Sequence, residues 1–437
     1  MKNNGFFRNT SWILVGQVIK LVISFLVGIL TVRYLGPNNY GIINYVRSYV
    51  AFFTAIVGLG LNGVIIYEFV NNKNSDGSIL GTAMLLRFGA GLICTIFLYL
   101  TVWVVDHGET ITMIVTALQC IQLPFLCLDT INYWYQYQLK SKYSVIAQTL
   151  AYIIASGYKI FLLAAGKGVE WFAFATSLDV LILGFFYFGI WIRQHKNPLK
   201  WDLLIAKRIL KGSIPFILAN IMVVVYGQVD KIMIKHMLNS DSEVGLYSAA
   251  IAICGYVGFI PLAILDSARP LIVKAKNTSE EIYNIRFKQL VAGIVWTCAI
   301  CSMIITFLSD NIIIILYGQE YLETGNCLKI AVWYTAFSYL GSARSFWLIC
   351  EKKNKYVILF SAMGAIGNIG LNALMIPYWG KEGAALATLL TQMLANFLFP
   401  LLFRDTRRYS TLVVEAIILK NIEIKDFLKH LNKHILK

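Results

Sequence analysis

Charge is scarce in this chain. Only 14% of its 437 residues are Asp, Glu, Lys or Arg and 58% are hydrophobic, against about one quarter charged in a soluble domain. That shortage excludes an ordinary water-soluble fold. Long polar stretches between the apolar runs are missing too, which excludes a soluble body on a single anchor. The alternating pattern of a membrane barrel is absent, and lipid leaves the backbone no partner outside the chain, so the spans are helices. The five histidines, His107, His195, His236, His430 and His434, lie in loops or the tail and nowhere at ligand spacing, so neither a metal nor another cofactor is expected. No glycine-rich loop ending in Gly-Lys-Ser/Thr occurs, which excludes a built-in ATPase. The first apolar run contains Lys20 and lacks a small-residue cleavage site. It reads as a retained first helix and not as a signal peptide.

What is present is a series of apolar windows, with a mean hydropathy of +0.66. A crossing needs about 20 apolar residues. Twelve windows qualify, at 11–35, 41–67, 79–105, 110–138, 143–165, 169–192, 212–237, 245–270, 288–309, 325–350, 356–377 and 383–403. The chain also repeats itself. WYQYQLKSKY at 134–143 matches WLICEKKNKY at 347–356, Gly166-Lys167 matches Gly380-Lys381, and LGPNNYG from Leu35 loosely matches LNSDSEVG from Leu238. Several matches in order argue for duplication of a six-helix unit. The expected fold is an all-α integral membrane protein of about twelve transmembrane helices, in two parallel six-helix lobes around a central cavity. The expected divisions are 1–205 for the first lobe with its basic linker, 206–403 for the second lobe, and 404–437 for a basic tail. In the tail, Ile424, Phe427, Leu428, Leu431 and Ile435 share one helical face, as in an amphipathic helix lying on an anionic leaflet.

The net charge of +15 is distributed by topology. With the amino terminus in the cytoplasm, most lysines and arginines fall on that side, and only Arg33, Lys167, Lys235, Lys329 and Lys381 lie near outer helix ends. This positive-inside asymmetry puts both termini in the cytoplasm of a cell inner (plasma) membrane protein, and makes nucleic acid an unsuitable partner. Of the eight cysteines, Cys298 and Cys301 have the spacing of a redox motif but sit within a span, where they read as small buried hydrophobes. Glycines 58, 60, 89, 91, 364, 367 and 370 read as sites of close helix packing.

The chemistry lies in the charges embedded in the spans. A charge facing lipid costs at least about 2.5–3.5 kcal/mol, so such groups face a bundle interior or a wet cavity. Lys20, Arg47, Arg87, Lys159 and Arg344 are the candidate cations, each read either as lining a cavity or as pairing between helices. Asp129, Asp179 and Asp230 are the candidate carboxylates for balancing charge or carrying a coupling ion, with helix-to-helix hydrogen bonding as the alternative. Asp230 and Lys231 point about 100° apart on a helix, so one could face the cavity while the other snorkels outward. Asp266 and Arg269 read as a structural pair. The first half carries more cations than carboxylates, which suits an anionic ligand. A transporter therefore fits better than a channel. A membrane-embedded glycan polymerase or ligase needs a sizeable outer loop, and the longest here, Ser309 to Glu323, offers only Asp310, Glu320 and Glu323.

The segments RNTSWILVGQVIK, RYLGPNNYGIINYV, NYWYQYQLKSKY, YGQVDKIMIKHMLNSDSEVGLYSAA and WGKEGAALATLLTQ, taken in order, resemble the polysaccharide (O-antigen) flippases of the Wzx type. Their superfamily also holds multidrug and toxin extruders and peptidoglycan-precursor flippases. Gln228-x-Asp230-Lys231 and Gly245-x-Tyr247-x-x-Ala250 fit the seventh- and eighth-span pattern. The resemblance implies two six-helix lobes that flip undecaprenyl-pyrophosphate-linked oligosaccharide to the periplasmic leaflet by alternating access. It implies no enzymatic activity, and names as partners the lipid-linked oligosaccharide, membrane lipids, a polysaccharide polymerase and a chain-length regulator. The family has no fixed catalytic set, so the site residues rest on their own chemistry. The chain departs from the peptidoglycan-precursor branch in lacking densely arginine-lined first helices and an extra pair of spans. A cationic cleft also suits organic cations, the cargo of cation-coupled drug efflux, poorly.

Overall fold

The computed structural model describes residues 3–72, 75–194 and 198–420. Its helices run in the order α1 (Asn3–Val57), α2 (Leu61–Asn71), α3 (Asp76–Val105), α4 (Thr110–Cys120), α5 (Gln122–Phe125), α6 (Thr130–Tyr137), α7 (Ser141–Ala164), α8 (Val169–Gln194) and α9 (Leu203–Leu238). There follow α10 (Asp241–Val257), α11 (Phe259–Lys276), α12 (Glu280–Leu316), α13 (Thr324–Ala331), α14 (Tyr334–Cys350), α15 (Lys355–Met393), α16 (Phe399–Leu402) and α17 (Arg407–Ile417). No strand occurs among the described residues.

Nine stretches among the described residues are long and apolar enough to cross a membrane. Two of them are pairs of helices joined at a glycine. α1 breaks at Gly36 (φ 68°, ψ 170°), and α15 breaks at Gly380 (φ 54°, ψ −134°). Left-handed backbone costs little where there is no Cβ, and Pro37 is preset for the first turn of the helix that follows. Counting each pair as two and adding residues 324–350 gives the twelve crossings expected from the windows. Their outer faces are apolar: Phe97 is 60% exposed, Ile366 72% and Phe307 82%. Apolar surface on that scale belongs against lipid and not water.

The chain gathers into two compact units, Met1–Ile232 and Met233–Lys437. The division falls late in α9, past the basic linker. The first unit packs around Trp134, Tyr135, Tyr187 and Phe69. The second packs around Trp347, Tyr409, Phe287 and Phe360. The repeat is visible in their local geometry. Leu139 (φ 54°) and Lys352 (φ 58°) are both left-handed. The next amide bonds back five residues in each case, Lys140 N to Tyr135 O at 2.9 Å and Lys353 N to Leu348 O at 2.8 Å. This is the six-to-one closure of a helix C-terminus. In each unit the lysine ammonium then lies over the buried tryptophan, at 5.5 Å for Lys140 on Trp134 and 5.1 Å for Lys353 on Trp347. The matching sequences therefore encode one helix cap, used twice.

Close packing is found at Gly91, where a Cβ would lie 2.6 Å from Pro124 Cα. Gly89, Gly367 and Gly370 meet nothing, so the packing expectation is not met for those three. Asp266 and Arg269 form an ion pair at 3.0 Å. The described part of the tail, α17, buries Tyr409, Leu412, Val413 and Ala416 and is held to α12 by Lys288–Glu415 at 3.2 Å. The amphipathic segment expected around Ile424 to Ile435 lies outside the described residues.

Candidate functional site

Five helices converge inside the first unit. After the Gly36 break, α1 presents Arg47, Val50, Ala51 and Thr54, the spacing of one helical face. α8 presents Thr176, Asp179 and Val180 in the same manner, α7 contributes Lys159, and Gln119 and Gln122 come from α4 and α5. Together these ten residues line a cavity of about 280 Å³. Its level in the bilayer follows from the helix rise. Arg47 lies ten residues beyond Pro37 and Asp179 ten beyond Val169, so each is about 15 Å from its helix start, at mid-span.

The register of these helices is fixed by hydrogen bonds. Ser177 Oγ donates to Leu118 O (2.6 Å) and Gln119 O (3.3 Å), which sets α8 against α4 beside Asp179. Gln119 Nε2 donates to Ile43 O at 3.3 Å, one turn before Arg47. Gln122 Nε2 donates to Gln119 O at 2.9 Å. The charged groups are held differently. Among the described residues, Arg47, Lys159 and Asp179 form no hydrogen bond or ion pair with the chain, although Lys159 lies in the fields of the other two. Gln119 is fully buried and its Oε1 has no partner among the described residues. Two cations and one carboxylate thus share a cavity within the spans with no hydrogen bond to the described chain. The neutral polar groups beside them spend their amide nitrogens and the Thr176 hydroxyl on the helix backbone.

The remaining expected site residues have other surroundings. Arg87 is 4% exposed and does not line this cavity. It donates from Nε to Val57 O (3.3 Å) and from Nη1 to Thr130 Oγ1 (3.0 Å), tying α3 to the end of α1 and the start of α6. Asp129 closes the short 3-10 turn Leu126–Asp129 and lies in the field of Arg87. Arg344, in the second unit, donates from Nη1 to Ala395 O and stacks 5.3 Å above the Phe360 ring. Lys20 is exposed, with its ammonium 5.4 Å from the Tyr152 ring centre. Asp230 and Lys231 are both buried, at 3% and 8% exposed, so neither snorkels outward. Lys231 Nζ donates to Gln228 Oε1 at 2.8 Å, and Ser48 Oγ reaches the same oxygen at 3.5 Å, which links α9 to the Arg47 helix. Of the candidates, the cavity brings together Arg47, Lys159 and Asp179. It adds Gln119, Gln122, Thr54 and Thr176, which a scan for charge passes over. Their signal is polar side chains three residues apart inside apolar windows, as in Gln119-x-x-Gln122 and Thr176-x-x-Asp179. Among the described residues no group of three or more His, Cys, Asp or Glu could hold a metal ion.

This arrangement can hold an anion: charge-assisted hydrogen bonds from guanidinium and ammonium are strong where water is scarce. Comparison with known proteins agrees with a membrane protein that handles glycans. The family model described as "Polysaccharide biosynthesis protein" matches residues 6–276. The capsular polysaccharide biosynthesis protein CapF of Staphylococcus aureus is 21% identical over 403 residues, covering 89% of this chain and 96% of CapF. Among solved structures, lipid II flippase MurJ in an inward closed conformation superposes with a TM-score of 0.72 at 14% identity, over 94% of this chain and 92% of MurJ. An inward-facing multidrug resistance MATE family transporter of the MOP superfamily gives 0.66 at 14% identity, over 90% of this chain and 98% of that one. The chain has the fold of those transporters, and it belongs to the polysaccharide biosynthesis protein family.

Proposed function

We propose that this protein is a flippase that carries undecaprenyl-pyrophosphate-linked oligosaccharide, a repeat unit of O-antigen or another surface polysaccharide, from the cytoplasmic to the periplasmic leaflet by alternating access. The observation that carries the reading is the pair of cations within the spans, Arg47 and Lys159, that line one cavity with no partner in the described chain. Cations left without partners in a bilayer are expensive, and a phosphate group supplies what they lack. Arg47 offers a planar fork for two phosphate oxygens, and Lys159 a point charge. The cavity sits just below the usual range for small-molecule sites, about 300–1,000 Å³. It suits the pyrophosphate and the atoms next to it, not a whole oligosaccharide.

Asp179 takes the balancing role. In the empty site it offsets part of the charge of Arg47 and Lys159. A pyrophosphate diester neutralises both cations and leaves Asp179 as the uncompensated group, so loading favours a proton or cation on that carboxylate. Ion coupling follows from this charge balance. Arg87 and Arg344 serve the helix contacts described above, Asp129 lies in the field of Arg87, Asp230 is buried outside the cavity lining, and Lys20 stays on an exposed face of the first span. The positive-inside bias supports an inner-membrane protein with both termini cytoplasmic, and a polymerase that takes the flipped unit is the natural downstream partner.

The test is complementation of a strain lacking the protein. Arg47→Gln and Lys159→Gln are expected to reach the membrane at wild-type levels and leave the surface without polysaccharide. Normal display from both variants contradicts the proposal.

A further inference from the structure

Four of the six residues from Leu199 to Leu204 are large and apolar, and all four are exposed: Leu199, Trp201, Leu203 and Leu204, the last at 70%. Their backbone is tightly held. Lys200 N donates to Gly77 O (3.2 Å) and Asp202 N to Thr82 Oγ1 (2.9 Å). The Asp202 carboxylate caps α9 by accepting from Leu204 N (2.8 Å) and Ile205 N (3.0 Å). Gly81 admits this approach, since a Cβ there would lie 2.7 Å from Lys200 O. The segment is a fixed loop on α3 that leaves its apolar side chains uncovered. From Gly77, which meets the loop, α3 rises about 42 Å to its far end at Val105. A bilayer with both headgroup layers measures about 40–45 Å. With the exposed Trp103 in one headgroup layer, where tryptophan collects, the loop and its Trp201 lie in the other.

The unpaired charges beside this apolar row are of one sign. Lys200, Lys207 and Lys211 are exposed, and none of their ammonium groups makes a hydrogen bond or ion pair among the described residues. Lys207 and Lys211 are one turn apart on α9. The carboxylates of the region are engaged: Asp202 in the cap, Glu68 with Arg208 at 3.3 Å, and Asp76 with Trp134 Nε1 at 2.9 Å. We propose that the loop and the first turns of α9 bind anionic phospholipid, with the phosphates on Lys200, Lys207 and Lys211 and the glycerol and first acyl carbons on Trp201, Leu203 and Leu204. A zwitterionic headgroup brings a cation of its own and gains less from three unpaired lysines. On the orientation proposed above the lipid belongs to the cytoplasmic leaflet, and the site does not depend on what the protein carries.

The experiment is tryptophan quenching of the purified full chain in nanodiscs doped with brominated phosphatidylglycerol or brominated phosphatidylcholine. The Trp201 signal is the quenching that wild type shows and Trp201→Phe lacks. Half-quenching of Trp201 is expected at a mole fraction of phosphatidylglycerol at least about fivefold below that of phosphatidylcholine, the preference that a single lysine near anionic lipid supplies. Changing Lys200, Lys207 and Lys211 together to glutamine should bring the two lipids level while both still quench Trp201. Changing the same three to arginine should keep the preference. Equal quenching by the two lipids in wild type, or a preference that survives the glutamine changes, overturns the proposal. So does an absence of quenching by either lipid, which places the loop in water and against a soluble partner.

Discussion

Arg47 and Arg87 both lie within apolar spans, Arg87 buried and Arg47 exposed, and replacing each by methionine should have opposite consequences. Arg87→Met removes the donor of two hydrogen bonds, to Val57 O and Thr130 Oγ1, and takes the cation away from Asp129. Hydrogen bonds between helices in a bilayer average about 0.6 and reach about 1.7 kcal/mol. Two of them give about 1–3 kcal/mol of lost stability. Arg47→Met breaks no hydrogen bond among the described residues, so its effect should fall within about 0.5 kcal/mol, as for substitutions away from packed features. The eight free cysteines, six of them buried, supply the assay. A thiol-reactive dye reports unfolding as the solubilised protein is heated. Arg87→Met should unfold a few degrees earlier, with residual export in proportion to folded protein. Arg47→Met should unfold with wild type and export nothing. Equal melting for wild type and Arg87→Met, or equal destabilisation by both changes, refutes the division of these arginines into packing and site residues.

Two other predictions concern packing. Gly91→Leu sets a side chain against the Pro124 backbone, where even a Cβ would lie 2.6 Å from Pro124 Cα. Membrane yield of this variant should collapse, whereas Gly367→Leu, which meets nothing, should express as wild type. Lys381 is 5% exposed and lies 3.2 Å from both Glu243 oxygens and 3.2 Å from Glu323. Lys381→Met leaves these carboxylates facing one another. The thiol-dye melting temperature should fall by more than for Lys329→Met, whose ion pair with Asp310 is largely exposed.

The number of crossings and the duplication were legible because each rests on a local property. An apolar window needs no partner to be recognised, and the tryptophan and lysine of the cap at Trp134–Lys140 recur at the same spacing at Trp347–Lys353. The windows do not show where a chain divides by contact, since α9 runs as one helix through Ile232. Sorting the embedded charges was legible in part. Arg47 and Arg87 are the same residue in similar windows, and what separates them is whether a carbonyl such as Val57 O comes within reach, which is set by how α1 and α3 cross. Asp230 and Lys231 gave a clear signal of function by rarity, yet the structure uses Lys231 to bind Gln228 across from Ser48. Gln119 gives no such signal, because an amide in an apolar window carries no charge. Its role depends on Ile43 O occupying its nitrogen, a fact of packing between helices far apart in sequence.

The central claim is that Arg47 and Lys159 hold the phosphate of a lipid-linked glycan during its passage. Its most direct test is leaflet exchange of a fluorescent undecaprenyl-pyrophosphate-linked saccharide in proteoliposomes containing the purified chain. The account predicts exchange well above that of empty liposomes for wild type, and a loss of at least about tenfold for Arg47→Gln and Lys159→Gln at equal reconstitution. Exchange at the wild-type rate in both variants contradicts it.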